Sequence, residues 1–219
     1  MNRTLEPELM DDSEQALVYA QADFEKENQG FVDRFREYFP DFSEGHVLDL
    51  GCGPGDIPLR FARALPACRI TGIDASEPMV RLAEETVREA GLSTRITFRC
   101  ERFQDFAGAN VADAAISNSL LHHVPNPLQF WHKLRLAVKP GSPVLVMDLL
   151  RPDSPQEAQA IVDRYASDAP DILRRDFYNS LLAAFTEDEI GAQLAQMNLT
   201  RLIIDVPDDR HWVAGGVIY

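Results

Sequence analysis

An apolar run that ends in three glycines within five residues, VLDLGCGPGD from Val47 to Asp56, constrains this chain more than any other stretch. Glycine carries an entropic cost in regular structure, so three this close answer a specific backbone demand. The preceding HVLDL reads as a buried strand, and IPLRFARAL reads as a helix from Ile57. A strand, a glycine turn and a helix bring a ligand against the backbone at a helix N-terminus. A second strand, CRITGID, ends on Asp74, nineteen residues beyond Gly55. An acid there takes both hydroxyls of a ribose. Together these features imply an adenosine-containing cofactor; the alternative is a tight turn with no ligand.

A dinucleotide site needs G-x-G-x-x-G, with pyrophosphate on the helix end. Here the third fingerprint position is Asp56, and Asp49 stands two residues before the loop. Carboxylates there repel a phosphate and favour a cation. S-adenosylmethionine carries a sulfonium, an ammonium and a ribose but no phosphate, so the sequence favours it over NAD.

Strands alternate with helices along the rest of the chain. A helix is predicted from Ser13 to Phe39, with Leu17, Ala20, Phe24, Phe31, Phe35 and Phe39 at helical spacing. Ser76 caps another helix, with Met79, Leu82, Ala83 and Val87 inward and a stop near Gly91. RITFRC and VADAAISN predict the third and fourth strands, LQFWHKLRLAV a helix, and KPGSPVLVMDLL a turn and the fifth strand. A helical stretch follows from about Ser154 to Ala184, interrupted at Pro170, and Thr186 and Glu189 form a capping box. LTRLIIDV and HWVAGGVIY close the chain as a hairpin around PDD. The fold class is therefore α/β: a Rossmann-like, doubly wound, seven-stranded and mostly parallel sheet. No helix separates the last two strands, so at least one of them runs antiparallel. The 219 residues predict one domain. It comprises an N-terminal helical cap over 1–45, a cofactor-binding core over 46–150, a helical insertion over 151–184 as substrate lid, and a C-terminal helix and strand pair over 185–219.

Charge and composition exclude several classes. A net charge of −14 repels phosphate backbones, so nucleic acid is not an expected partner. No apolar run reaches the length of a membrane span. The N-terminal MNRTLEPELMDDSEQ lacks the apolar core of a secretory signal, and Cys52, Cys68 and Cys100 form neither a metal-ligand spacing nor an even framework. A cytoplasmic protein with free thiols and no metal is the expectation.

VLDLGCGPGD followed by GIDAS resembles the first two motifs of class I S-adenosylmethionine-dependent methyltransferases. AAISNSLLHHVPNP resembles their fourth-strand motif and AVKPGSPVLVMDLLRP their fifth. The spacing is similar to that of the ubiquinone/menaquinone-biosynthesis subgroup, strongly over 46–150 and weakly in the C-terminal strands. The resemblance implies that Gly51, Cys52, Gly53 and Gly55 lie against the methionine part and that Asp49 helps place it. It further implies that Asp74 binds the ribose, that Ala75 and Met79 line the adenine, and that Asn118, Ser119 and Leu120 approach the methionine end or the reacting methyl. Many relatives carry an aspartate after the third strand that accepts from the adenine amine. Here Arg102 stands at that place, with Glu101 beside it. Arginine is donor-only. Either Glu101 substitutes, or backbone groups of Arg102 and Phe103 hold the adenine, or Glu101 and Arg102 pair with each other.

Methyl transfer from a sulfonium is a single in-line displacement that the protein serves by alignment and water exclusion. A base is needed only where the acceptor must lose a proton. His122 and His123, just beyond the fourth strand, are the catalytic candidates. Alternatively one packs under the sheet and the other caps the turn before Pro125, and adjacent histidines are not expected to share a metal ion. Tyr19, predicted to share a helical face with Asp23, is a third candidate, with packing on Phe24 as the alternative. Asp148 is a candidate for substrate binding, or else an ion-pair partner of Arg151. In the insertion Arg174, Arg175, Tyr178 and Asn179 suit a substrate carboxylate or phosphate; the alternative is an amphipathic helix packed by Leu181, Leu182 and Phe185. His211 is expected at the same end, and Cys52 reads as a buried filler. The expected function is methyl transfer from S-adenosylmethionine to a small molecule, leaving S-adenosylhomocysteine. The alternatives are a non-catalytic cofactor-binding partner protein, or a methyltransferase acting on protein or RNA.

Overall fold

The computed structural model describes residues 1–6 and 12–219; residues 7–11, inside the expected N-terminal cap and the acidic N-terminus, lie outside the described residues. Seven strands form one sheet: β1 (Glu44–Leu50), β2 (Ala67–Asp74), β3 (Ile96–Cys100), β4 (Ala114–Asn118), β5 (Ser142–Leu149), β6 (Ile203–Asp205) and β7 (His211–Ile218). Their order is β3-β2-β1-β4-β5-β7-β6. Strands β1 to β5 are parallel, and β7 runs antiparallel to both β5 and β6, as the missing crossover helix requires. The winding direction reverses between β1 and β4. At the C-terminal ends of these strands, the end where such sheets take ligands, lie the glycine loop and the two histidines.

Eight helices flank the sheet among the described residues: α1 (Ser13–Ala20), α2 (Glu25–Tyr38), α3 (Asp56–Ala64), α4 (Glu77–Glu89), α5 (Pro127–Ala137), α6 (Pro155–Tyr165), α7 (Asp171–Ala183) and α8 (Glu187–Gln196). Val47 to Leu50 are buried without alternation, the pattern of a strand covered on both faces. One core gathers Leu48, Leu50, Phe130, Trp131, Leu194 and Trp212. The other gathers Phe31, Phe35, Phe61, Val47 and Ile70.

The single helix predicted from Ser13 to Phe39 is two. α1 ends at Ala20, and the Asp23 side chain accepts the Glu25 N–H at 3.1 Å to start α2. Asp23 is thus a turn residue and shares no helical face with Tyr19. α1 buries Ala16, whereas Leu17 is 45% exposed. The other signals hold. Ser76 and Ser154 cap α4 and α6, the insertion breaks at Pro170, and the Thr186–Glu189 box closes with bonds of 3.0 and 3.3 Å. No helix among the described residues is long and apolar enough to cross a membrane.

Candidate functional site

The glycine loop leaves β1 in left-handed conformations, with φ of +76° at Gly51 and +50° at Gly53. The N–H groups of Gly51 and Cys52 donate to the Ile73 carbonyl at 2.8 and 3.1 Å, so the loop is tied to the end of β2. The Asp74 carboxylate accepts the Gly53 N–H on one oxygen and the Ser76 N–H on the other, both at 2.9 Å. It therefore holds the loop and the start of α4 in one frame. A Cβ on Gly51 would lie 2.9 Å from Leu120, while one on Gly53 would meet nothing within 4 Å. Gly53 thus leaves open space beside the loop. Cys52 is buried, and burial, then Asp49 and Asp74, push its thiol well above the ordinary value, so it stays a neutral filler. Its space comes from Gly72, where a Cβ would lie 2.8 Å from the Cys52 sulfur.

Asp49 is buried in β1, and its Oδ2 has no hydrogen-bond partner among the described residues. Burial, then the nearby Asp74, push its carboxyl up to about 8. Asn118 Oδ1, at the end of β4, also lacks a partner among the described residues, its amide donating to Ser119 Oγ at 3.2 Å. Ser119 itself sits at φ +54°, rare for a residue other than glycine and frequent at ligand sites. Two acceptors without donors suit a cationic ligand such as the ammonium of S-adenosylmethionine, and repel a pyrophosphate. Asp56 contributes little to this contrast, because Arg60 and Asn28 each approach its Oδ2 at 2.8 Å. Met79 is buried in the first turn of α4, one turn beyond Asp74 and Ala75. Glu101 pairs with Arg99 at 2.5 Å, which the alternatives for Glu101 had not included. The Arg102 carbonyl accepts the Asp105 N–H at 2.9 Å, and Phe103 is buried against Phe130.

A short 3-10 turn, Leu121–His123, carries the histidines. Asp148 of β5 is buried and accepts the His122 N–H at 3.0 Å, the Leu149 N–H at 2.6 Å and His122 Nδ1 at 2.5 Å. A carboxylate only accepts, so Nδ1 carries a proton and Nε2 of the neutral ring presents a lone pair. Burial lowers the His122 pKa, but Asp148 and Glu6 outweigh it and hold it above the ordinary value. Burial likewise opposes the Asp148 charge, and His122 overrides that to keep it low. The alternative ion pair is absent: Arg151 bonds Glu189 at 2.7 Å and the Ala184 carbonyl at 3.2 Å.

Glu6, which no motif marked, completes this cluster. Its Oε1 lies 3.4 Å from His122 Nε2 and 3.2 Å from His123 Nδ1, and accepts from Ser180 Oγ of α7 at 3.0 Å. It stands on an N-terminal arm stitched across the turn and α7. Arg3 donates to the carbonyls of Ala183, His122 and Val124 at 2.5, 2.7 and 3.1 Å and lies over the Phe185 ring, while the Thr4 N–H donates to Leu182 O at 2.9 Å. Arg3→Ala is expected to cost about 1–3 kcal/mol by leaving three carbonyls unsatisfied. In a chain of this size, thermal unfolding would show this as a fall in Tm of roughly 2–10 °C.

Tyr19 joins the two halves. It packs on Phe24 at 5.0 Å, as the packing alternative required. Burial, then Asp74, Asp148 and Asp56, push its phenol up to about 12, so it is a neutral donor and not a base at physiological pH. The insertion's arginines do not reach the histidines: Arg174 bonds Asp163 at 2.7 Å and the Ala166 carbonyl at 2.9 Å, and Arg175 pairs with Asp176 at 3.2 Å. Tyr178 packs beside Leu149, Ile161 and Leu181. Asn179 lines a cavity of about 170 Å³ with Thr4, Leu5, Glu6 and Leu182. His211 lies beside Leu149 but bonds Asp208 at 3.0 Å, apart from the His122 cluster.

Residues 47–141 match the family model of a methyltransferase domain. The chain thus carries a methyltransferase domain over those residues. Over 169 residues, 75% of this chain and 68% of the relative, it is 28% identical to demethylmenaquinone methyltransferase of Porphyromonas gingivalis. Over 182 residues, 81% of this chain and 62% of the relative, it is 26% identical to 27-O-demethylrifamycin SV methyltransferase of Amycolatopsis mediterranei. The chain thus spans about two thirds of the length of these curated relatives. Its fold is similar to that of the plantazolicin methyltransferase BpumL, solved with a pentazolic desmethylPZN analog and SAH, with a TM-score of 0.71, 17% identity, and coverage of 94% of this chain and 90% of that one.

Proposed function

We propose that the protein transfers a methyl group from S-adenosylmethionine to a small-molecule acceptor bound at the C-terminal ends of β4 and β5. The observation that carries this is a pair of buried oxygens without hydrogen-bond donors, on Asp49 and Asn118, at the same end of one sheet as an aspartate-oriented histidine. When bound, the cofactor supplies an electrophilic methyl on a sulfonium. Asp49 and Asn118 face the ammonium, Gly51 to Gly55 admit the methionine part, and Asp74 holds the ribose. Ala75, Met79 and the backbone at Arg102 and Phe103 border the adenine, and Ser119 shapes the turn beside the methyl. His122 Nε2 takes the proton of an acceptor that must lose one, Asp148 fixes the tautomer and offsets the resulting charge, and Tyr19 donates a hydrogen bond. The insertion over 151–184 walls the acceptor pocket through Ser180 and Asn179.

The net charge of −14 disfavours RNA, and both curated relatives are named for small-molecule acceptors. The free cysteines Cys52, Cys68 and Cys100 fit a cytoplasmic setting. Transfer of a labelled methyl group tests the reading, with a panel of small phenols, quinols and carboxylic acids run beside total protein and RNA. Label on a small molecule is expected; label on protein or RNA alone would overturn it. Asp74→Ala is expected to weaken S-adenosylhomocysteine binding about 100-fold by removing two charge-assisted hydrogen bonds. Unchanged affinity by calorimetry would remove Asp74 from the cofactor site.

A further inference from the structure

We infer that Glu6, His122 and His123 bind one divalent transition-metal ion of the zinc, cobalt or nickel type. The three ligand atoms, Glu6 Oε1, His122 Nε2 and His123 Nδ1, lie within 4.8 Å of one another. The carboxylate oxygen stands 3.4 Å from one ring nitrogen and 3.2 Å from the other. Two ligands of a tetrahedral ion with bonds of about 2.0–2.1 Å sit about 3.3–3.4 Å apart, so these separations already match the edges of such a site. His122 Nδ1 is committed to Asp148, which turns the lone pair on Nε2 towards Glu6. A carboxylate behind a histidine whose far nitrogen faces the ligand cluster is the usual support of a metal-binding imidazole.

Adjacent histidines were not expected to share a metal ion. The 3-10 turn instead brings their rings to 4.1 Å, and the arm carries a carboxylate to the point where both nitrogens converge. Two nitrogens and one oxygen favour zinc, cobalt or nickel over magnesium or calcium, which take oxygen ligands. Three protein ligands leave a fourth position for water, and the bound ion takes the Nε2 lone pair that proton removal by His122 needs, so zinc is expected to inhibit that step. Because Glu6 sits on the arm, the ion fastens the arm to the end of the sheet.

Calorimetric titration of the full chain with ZnCl2 in metal-free buffer tests this, with MgCl2 in parallel. One zinc per chain and no magnesium uptake are expected. Asp148→Asn should weaken zinc binding about 10–100-fold, and His123→Ala and Glu6→Gln each by at least as much. Cobalt should give the intense visible bands of tetrahedral coordination, and zinc should slow amide exchange at Thr4 and Glu6. Circular dichroism and metal-free Tm check that each variant is folded; Glu6→Gln preserves size, so its result decides if His123→Ala does not fold. No zinc uptake overturns the proposal, and so does equal affinity in the wild type and Glu6→Gln, which would place the ion on other groups such as Asp208 and His211.

Discussion

Replacing Asp49 by asparagine is expected to weaken S-adenosylhomocysteine binding by about 100-fold or more, the cost of breaking a buried charge pair. The same change should make the cofactor-free protein more stable at and above neutral pH. The carboxyl is held up to about 8, far above its ordinary value of 3.8, by burial and by Asp74. Between those values the folded protein keeps a proton that the unfolded chain gives up. The contribution of this group to stability therefore falls as pH rises from about 4 to about 8, and the loss is complete above the folded value. Asparagine carries no such penalty. Binding of a cationic ammonium reverses the preference and favours the ionised carboxylate. At pH near 7, binding should then release close to one proton, and affinity should rise with pH up to about 8. Calorimetry in two buffers of different ionisation enthalpy measures that proton directly. No proton release, with unchanged affinity in Asp49→Asn, would show that Asp49 is not the counter-ion.

The second large effect is expected at His122 and Asp148. His122→Asn removes the Nε2 proposed to take the acceptor's proton, and Asp148→Asn removes the carboxylate that bonds His122 Nδ1. Each should lower kcat by about 10²–10⁴ for an acceptor that loses a proton. Affinity for S-adenosylhomocysteine should stay within about threefold, since neither side chain belongs to the Asp49–Asp74 half of the site. Steady-state kinetics with separate cofactor titrations makes the distinction. A kcat unchanged in both variants would leave the pair a structural anchor of the turn. Loss of cofactor affinity without loss of kcat would place it on the wrong side of the site.

The groups of the proposed cofactor half were legible in the sequence because their geometry is local. Gly51 and Gly53 need left-handed backbone, Asp74 follows at the end of the next strand, and Asp49 stands in the preceding strand. Chain order alone brings these groups together. Asp56 shows the limit of that logic, since its charge is absorbed by Arg60 and Asn28, and the latter contact depends on how α2 packs against α3. The proposed acceptor half depends on long-range contacts. Glu6 reaches His122 and His123 across more than a hundred residues, and Arg3 finds carbonyls from two separate segments. No periodicity or spacing encodes such meetings. Arg174 and Arg175 drew notice as cations in an acidic chain, yet acids within the insertion neutralise both. The strained Ser119 and the clearance that Gly72 gives Cys52 likewise follow from packing between strands rather than from a local pattern.

Calorimetric titration with S-adenosylhomocysteine, with NAD run in parallel, tests the identity of the cofactor site most directly. A single site for S-adenosylhomocysteine, a matching rise in Tm and no response to NAD are the results expected of a site that sets the partnerless Asp49 carboxyl near Asp74. Binding of NAD with no binding of S-adenosylhomocysteine would contradict it.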